Sequence, residues 1–338
     1  MQKLLVAGGA GFIGSNFIRY WLEAHSEDSI LNLDKITYAG NLDNLKEIPK
    51  KFEGRYQFAH GDIGNFELVN HLFETFQPEI IVNFAAESHN SLAILNPREF
   101  MMSNAVGLIT LLDVARRHPV ERFHHISTCE VYGDLELDSP DQFSESSPYN
   151  PKTPYNASKA AGDHIARAYF HTFQIPVTIT NCSNNYGPYQ FPEKVIPLFT
   201  TNALEGKPLP VYKSSQNKRE WLHVLDHCRA IDVVLNKGTI GETYNIGSGV
   251  EKSVDDLVSI ILEETGAPES LVQIVPDRPQ HDKRYLLDSN KIRQQLGWKS
   301  TIDFDTGIRE TIRWYMEHPE WWKPLKARLR VNEASWKK

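Results

Sequence analysis

Two periods of apolar spacing alternate along the first half of the chain. Short apolar runs at Leu4–Ala7, Ile30–Asp34, Tyr56–Ala59, Ile80–Asn83, Phe123–Ser127 and Val177–Asn181 read as strands. Between the first two, Phe12, Ile13, Phe17, Ile18 and Trp21 recur at near-helical spacing, predicting a helix over 12–22. Segments 67–76, 98–116 and 155–173 read as helices in the same way. Ile80–Asn83 is apolar on both of its faces, as a strand covered on both sides should be. Strand and helix in strict alternation predict an α/β fold with a doubly wound parallel sheet. Ligands of such sheets lie beyond the carboxyl ends of the strands. Asp34, Asp62, Ala85-Ala86, Ser127–Glu130 and Asn181–Asn184 stand at such ends and are expected to meet in one crevice.

After residue 181 the texture changes. Pro188, Pro192, Pro197, Pro208 and Pro210 crowd one stretch, and the elements that follow do not alternate. The expected organisation is a sheet domain over 1–181, rejoined at about 224–246. A smaller α/β substrate lobe takes about 182–223 and 247–338. The tail from Trp314 to Trp336, rich in Trp, Lys and Arg, is expected to pack as a surface helix. There is no internal repeat or low-complexity tract.

Composition narrows the function classes. The 338 residues are 41% hydrophobic and 23% charged, with a net charge of −7, an ordinary globular balance. No basic block suggests nucleic acid or an anionic membrane, and no apolar run is long enough to span one. Met1-Gln2-Lys3 is expected to lead straight into a strand, with no signal-peptide pattern before it. Cys129, Cys182 and Cys228 are widely spaced, which fits a reducing cytoplasm and no metal site. His124-His125 reads as part of a strand.

The first strand runs into Gly8-x-x-Gly11-Phe12-Ile13-Gly14. Such glycines permit a tight turn, close approach of backbone to a pyrophosphate, and close helix packing. The following helix N-terminus favours the phosphate charge. Asp34, twenty residues after Gly14, suits ribose hydroxyls and repels a 2′-phosphate, which favours NAD over NADP. Lys35 beside it weakens that preference. Asp62-Ile63 would flank the adenine. Tyr155 and Lys159 lie one helical turn apart, so the ammonium should favour the phenolate and lower the Tyr155 pKa. A phenol so tuned is a base for a hydroxyl proton.

These motifs, with Ser127-Thr128 upstream, resemble the extended short-chain dehydrogenase/reductases, with a Rossmann-type NAD domain. Ala85-Ala86-Glu87-Ser88-His89, Glu130-Val131-Tyr132-Gly133, Asn184-Asn185-Tyr186-Gly187-Pro188-Tyr189, Pro192-Glu193-Lys194 and Trp221-Leu222-His223-Val224 follow in order. Arg278-Pro279-x-His281-Asp282-x-Arg284-Tyr285 closes the series. It is similar to the dTDP-glucose 4,6-dehydratase branch over residues 1 to about 325. The resemblance implies NAD(H) reduced and reoxidised in each turnover, and a homodimer through the helices beginning near Arg98 and Tyr155. It implies Tyr155 as base at the C4 hydroxyl, Lys159 as its support, Thr128 as partner of the C4 oxygen, and Glu130 for the C5 proton. Ala85 and Ala86 would touch the cofactor. Arg219, Arg278 and Lys194 suit the diphosphate of a UDP- or dTDP-linked sugar. Tyr212 suits a pyrimidine, and Asn184 a sugar or phosphate oxygen. Ser88, His89, Glu193, Pro210 and His281 complete the expected substrate contacts.

The chain departs from the family at three places. Cys129 stands where the family has the Asp that protonates the departing C6 hydroxyl. Asn90-Ser91-Leu92-Ala93 replaces Val-Asp-Arg-Ser, and Lys213-Ser214-Ser215 replaces Gly-Asp-Gly. A thiol is a weak hydrogen-bond donor with an ordinary pKa of about 8.5. The expectation is therefore a reaction that expels no water. The substrate would be a UDP-2-acetamido sugar already carrying a 5,6-double bond. Its C4 is oxidised, hydride returns to C6, and C5 is protonated with possible inversion. A conventional 4,6-dehydratase, a 5,6-dehydratase, a 4-epimerase and a non-catalytic sugar-nucleotide binder remain as alternatives.

Overall fold

The structure of the protein, a computed structural model, describes residues 1–329. Strands β1 (Lys3–Ala7), β2 (Ser29–Asp34), β3 (Tyr56–His60), β4 (Ile80–Asn83), β5 (Arg122–Thr128) and β6 (Val177–Cys182) come first. The later strands are β7 (Asn184–Tyr186), β8 (Leu209–Tyr212), β9 (Lys218–His223), β10 (Thr243–Ile246), β11 (Glu251–Ser253) and β12 (Val272–Val275). Seven of them form a parallel sheet in the order β10-β6-β5-β4-β1-β2-β3. This is the doubly wound Rossmann-type architecture. The order reverses between β1 and β4, which opens a ligand crevice at the strand ends.

The two-residue period of a strand divides β1 between two cores. Leu5 and Ala7 pack with Phe73, Leu111, Leu112 and Ala166 on one face. Leu4 and Val6 pack with Phe17, Trp21, Val224 and Ile231 on the other. The second face explains the return of the chain: helix Val224–Lys237 covers it, and β10 then pairs with β6.

The helix expected over 98–116 is not uniform. It comprises Pro97–Met101, a π-helical turn Met102–Gly107, and Leu108–Ala115. Asn104 in that turn points inward, donates to the Glu87 carbonyl and the Ser158 hydroxyl, and accepts from the Glu87 N–H. A wider turn that satisfies an inward-facing amide is a recognised feature of functional sites. A separate short helix, Asn90–Leu95, precedes it.

A third core joins Tyr186, Ile196, Phe199, Leu209, Trp221, Leu257, Ile261, Phe304 and Ile308. It lies among sheets β11-β9-β7 and β12-β8 and the helices Val195–Leu204, Val254–Thr265 and Phe304–Glu317. Asp226 fastens the segment after Trp298 to helix Val224–Lys237, accepting from Ser300, from Thr301 twice and from the Ile302 N–H. In the tail, Phe304–Glu317 and Pro319–Lys326 are both helical, and Tyr315, Trp322 and Leu325 are buried. The rest of the expected tail helix, through Trp336, lies outside the described residues. Among those described, no helix is long and apolar enough to cross a membrane, and no group of His, Cys, Asp and Glu could hold a metal ion.

Candidate active site

The glycine loop is shaped by contacts that a side chain would prevent. Gly8 has φ +79°, and a Cβ there would lie 2.5 Å from the Ala85 nitrogen. At Gly14 a Cβ would clash with the Gly8 carbonyl oxygen. Gly11 caps helix Phe12–Ala24 in extended conformation without any side-chain bond. The first-turn N–H groups are thus left for an anion. Gly8, Gly11, Phe12, Ile13 and Gly14 form one wall of a cavity of about 310 Å³. Asp34, Asp62, Ile63, Ala85 and Ala86 lie on it as well. Asp34 does double duty: its carboxylate accepts from the N–H groups of Ala10 and Ile36, at 2.8 and 2.7 Å. A carboxylate has about four acceptor positions, which leaves capacity for ribose hydroxyls. Lys35 is drawn to Asp62 at 2.8 Å, at the rim. The loop and the acid at the end of β2 fit a dinucleotide.

The reacting groups meet at the other end of the same cavity. Thr128, Glu130, Tyr155, Lys159, Ser88, Asn184, Glu193 and Lys194 line it. Thr153 caps helix Pro154–Phe173 by accepting from the Asn156 N–H, which sets the start of the Tyr155 turn. Lys159 donates to the Ile126 carbonyl at 2.7 Å. The expected lowering of the Tyr155 pKa is not found in the isolated chain. Burial and the Glu130 charge hold the phenol well above its ordinary range, with the Thr128 hydrogen bond opposing them. Lys159 is itself lowered by burial, against the charge of Asp163.

Glu130 accepts from the Asn90 side-chain amide at 2.9 Å, and the Thr153 hydroxyl donates to the Asn90 oxygen at 2.7 Å. Burial and Asp282 raise the Glu130 carboxyl, while Asn90, Arg278 and Lys194 pull it down. Cys129, between two wall residues, is 1% exposed and packs with Val131, Tyr132, Ala160, Tyr285 and Leu287. Burial pushes its thiol well above the usual range, and Glu130 adds to the effect.

Of the other expected substrate residues, Arg219, Arg278, Tyr212 and His281 form a second cluster around Asp282, and none of the four lines the cavity. Arg278 pairs with Asp282 at 3.3 Å, and Arg219 donates to the Asp282 carbonyl and lies over the Tyr285 ring. The Tyr212 ring meets His281 edge-on at 5.0 Å. His281 is held neutral, near pKa 3, by burial and by the charges of Arg219 and Arg278. His89 is likewise lowered to about 3, by burial first and then by Lys194 and Arg278. Pro210 is buried in β8 opposite Gln273 and does not line the cavity. Arg278, Asp282 and Lys194 all act on Glu130, so the cluster adjoins the reacting end of the cavity. Asn90, Thr153 and Asn104 were absent from the expected site. Asn90 was visible only as a departure from the family pattern, and Asn104 gave no sequence signal.

The family profile of GDP-mannose 4,6 dehydratase matches residues 5–311. The chain belongs to this family. Within it, the chain is an extended short-chain dehydrogenase/reductase of the dTDP-glucose 4,6-dehydratase-like kind. It is 44% identical to the dTDP-glucose 4,6-dehydratase of Salmonella typhimurium, with 96% of each chain covered. Its fold superposes on DesIV, a dTDP-glucose 4,6-dehydratase from Streptomyces venezuelae solved with NAD bound. The TM-score there is 0.91 at 46% identity, covering 96% of this chain and 100% of that one. The Bacillus anthracis dTDP-glucose 4,6-dehydratase in complex with NAD gives 0.89 at 45% identity, over 96% and 100%.

Proposed function

We propose that this protein is an NAD-dependent 4,6-dehydratase of a pyrimidine nucleoside diphosphate hexose, with a dTDP-linked hexose as the first candidate. One observation carries the reading: Thr128, Glu130, Tyr155 and Lys159 share a single cavity with the glycine cradle. Gly8, Gly11, Gly14 and Asp34 would hold NAD, which when bound would supply the hydride acceptor for C4 and the hydride donor for C6. Tyr155 removes the C4-hydroxyl proton, Thr128 holds the C4 oxygen, and Lys159 stabilises the charge that develops there. The new ketone acidifies C5–H, and Glu130 takes that proton. Arg219 and Arg278, with Lys194, hold the diphosphate. Asp34 selects NAD, and mass spectrometry of the nucleotide released from purified protein should find NAD in excess of NADP.

A second reading rests on Cys129. If no residue protonates the C6 hydroxyl, the substrate is instead a UDP-2-acetamido 5,6-ene sugar and no water leaves. Incubation with dTDP-glucose, UDP-N-acetylglucosamine and their 5,6-ene derivatives, followed by NMR, separates the two. Water loss from dTDP-glucose supports the first reading, and turnover of an ene alone supports the second.

The reading includes a cytoplasmic homodimer. Leu95, Met101, Met102 and Val106 leave 42–50% of their surface exposed along the segments before and within the π-helical turn, and Phe173 is 42% exposed at the end of the Tyr155 helix. Such apolar exposure on two helices suits a second copy of the chain. Light scattering should give twice the chain mass.

A further inference from the structure

Loss of water requires a proton on the departing C6 oxygen, and the thiol of Cys129, a weak donor packed into an apolar core, is not on the cavity wall. We propose that Glu130, clamped by Asn90 and Thr153, carries both proton transfers of the elimination. It takes the proton from C5 and delivers it to the C6 hydroxyl. This rests on the 4,6-dehydratase reading above.

Three features support it. Glu130 lines the cavity, whereas Cys129 is packed into a small apolar core. The amide of Asn90 binds one carboxylate oxygen, Oε2, and leaves Oε1 for the substrate. Thr153, which fixes Asn90, is also the cap of the helix that carries Tyr155, so the clamp sets Glu130 in register with the C4 base. Burial gives the Glu130 carboxyl the proton affinity of a useful donor.

The atoms balance. The C5–H bond breaks, its electron pair forms the C5–C6 double bond, and the C6–O bond breaks. The oxygen leaves as water, carrying the proton that Glu130 received from C5. After hydride returns to C6, C5 needs one proton. The C4-hydroxyl proton, left on Tyr155, supplies that count by exchange through solvent and Glu130. No further oxidant or acid is required.

Asn90 and Thr153 are positioning residues in this scheme, and the test must separate that role from simple packing. Glu130 is faced by Asn90, Asp282, Arg278, Lys194, Tyr155, Cys129 and Tyr285. Of these, Asn90→Val removes only a neutral donor. With dTDP-glucose, Asn90→Val should slow turnover about tenfold or more, the usual scale for losing a hydrogen bond to a charged group. Reduced nicotinamide should accumulate on the enzyme, because C4 oxidation continues while elimination stalls. The acid limb of the pH–rate profile should move to higher pH, since a contact that lowers the Glu130 pKa has gone. Thr153→Ser should keep the wild-type profile and Thr153→Val should imitate Asn90→Val. Glu130→Gln should form reduced nicotinamide and release no water. Cys129→Ala, with Cys129→Ser as a check on folding, should still release water. If Cys129→Ala and Cys129→Ser fold yet trap reduced nicotinamide, the thiol is the donor and the proposal falls. An unchanged rate and pH profile in Asn90→Val removes the clamp. If wild-type protein turns over only a 5,6-ene, the 4,6-dehydratase reading itself fails and the double role fails with it.

Discussion

Gly8→Ala tests the cofactor cradle at its tightest point. The residue sits at φ +79°, where a non-glycine side chain costs about 1–2 kcal/mol. The added Cβ would also lie 2.5 and 2.7 Å from the Ala85 nitrogen and Cα and 2.8 Å from the Phe84 carbonyl carbon. All three are backbone atoms at the end of β4, so no side chain can rotate away. The β1 and β4 ends must separate, and forced overpacking of this kind adds about 1–3 kcal/mol. The total is about 2–5 kcal/mol, divided between stability and the geometry of the pyrophosphate site. Gly54→Ala is the matched control: its φ is +78°, but nothing lies within 4 Å of the added carbon. It should cost only the conformational part. Scanning calorimetry with and without NAD, and titration calorimetry with NAD, measure both components. Gly8→Ala should melt below Gly54→Ala and lose at least about tenfold in NAD affinity, the equivalent of about 1.4 kcal/mol. A Gly8→Ala protein that binds NAD within threefold of wild type would refute the close-approach argument.

Two further outcomes are expected. Tyr155→Phe should lower the rate of C4 oxidation by about 10²–10⁴ while nucleotide binding, measured by calorimetry, stays near wild type; retention of a tenth of the activity would remove Tyr155 as the base. Asp226→Ala should destabilise the fold by about 1–3 kcal/mol in chemical denaturation, because the half-buried or exposed donors of Ser300, Thr301 and Ile302 lose a buried acceptor. Those donors hold the Asp226 pKa below its ordinary value. Its contribution is therefore present above the unfolded-state pKa of about 3.9 and is lost as pH falls through the lower folded value. Wild type should lose more stability than Asp226→Ala over that acid range, and parallel curves would contradict the sign.

Much of the fold was legible because buried parallel strands leave short apolar runs and their helices leave a 3.6-residue period. Ile80–Asn83 and the helix from Phe12 are cases where local pattern and tertiary burial agree. The π-helical turn was invisible, since Asn104 earns its place through Glu87 and Ser158, distant in sequence. The cofactor end of the site was readable from glycine spacing and one acid at a strand end. The electrostatics at the reacting end were not. Helical spacing puts Lys159 near Tyr155, but it cannot show that the ammonium is directed to the Ile126 carbonyl or that Glu130 raises the phenol. Likewise, Cys129 was read from the family resemblance, as standing where an acid is expected, and only the packing with Tyr285 and Leu287 shows the apolar surroundings of its thiol.

The most direct test of the central claim is the fate of one hydrogen. The unmodified protein should convert dTDP-glucose deuterated at C4 into a 4-keto-6-deoxy sugar, with the label carried to C6 of the same molecule. In deuterated solvent, C5 should gain one solvent deuteron. Mass spectrometry should show the C6 oxygen released as water. Label that remains at C4, or C6 oxygen retained in the product under conditions where a 5,6-ene sugar is turned over, would contradict the account.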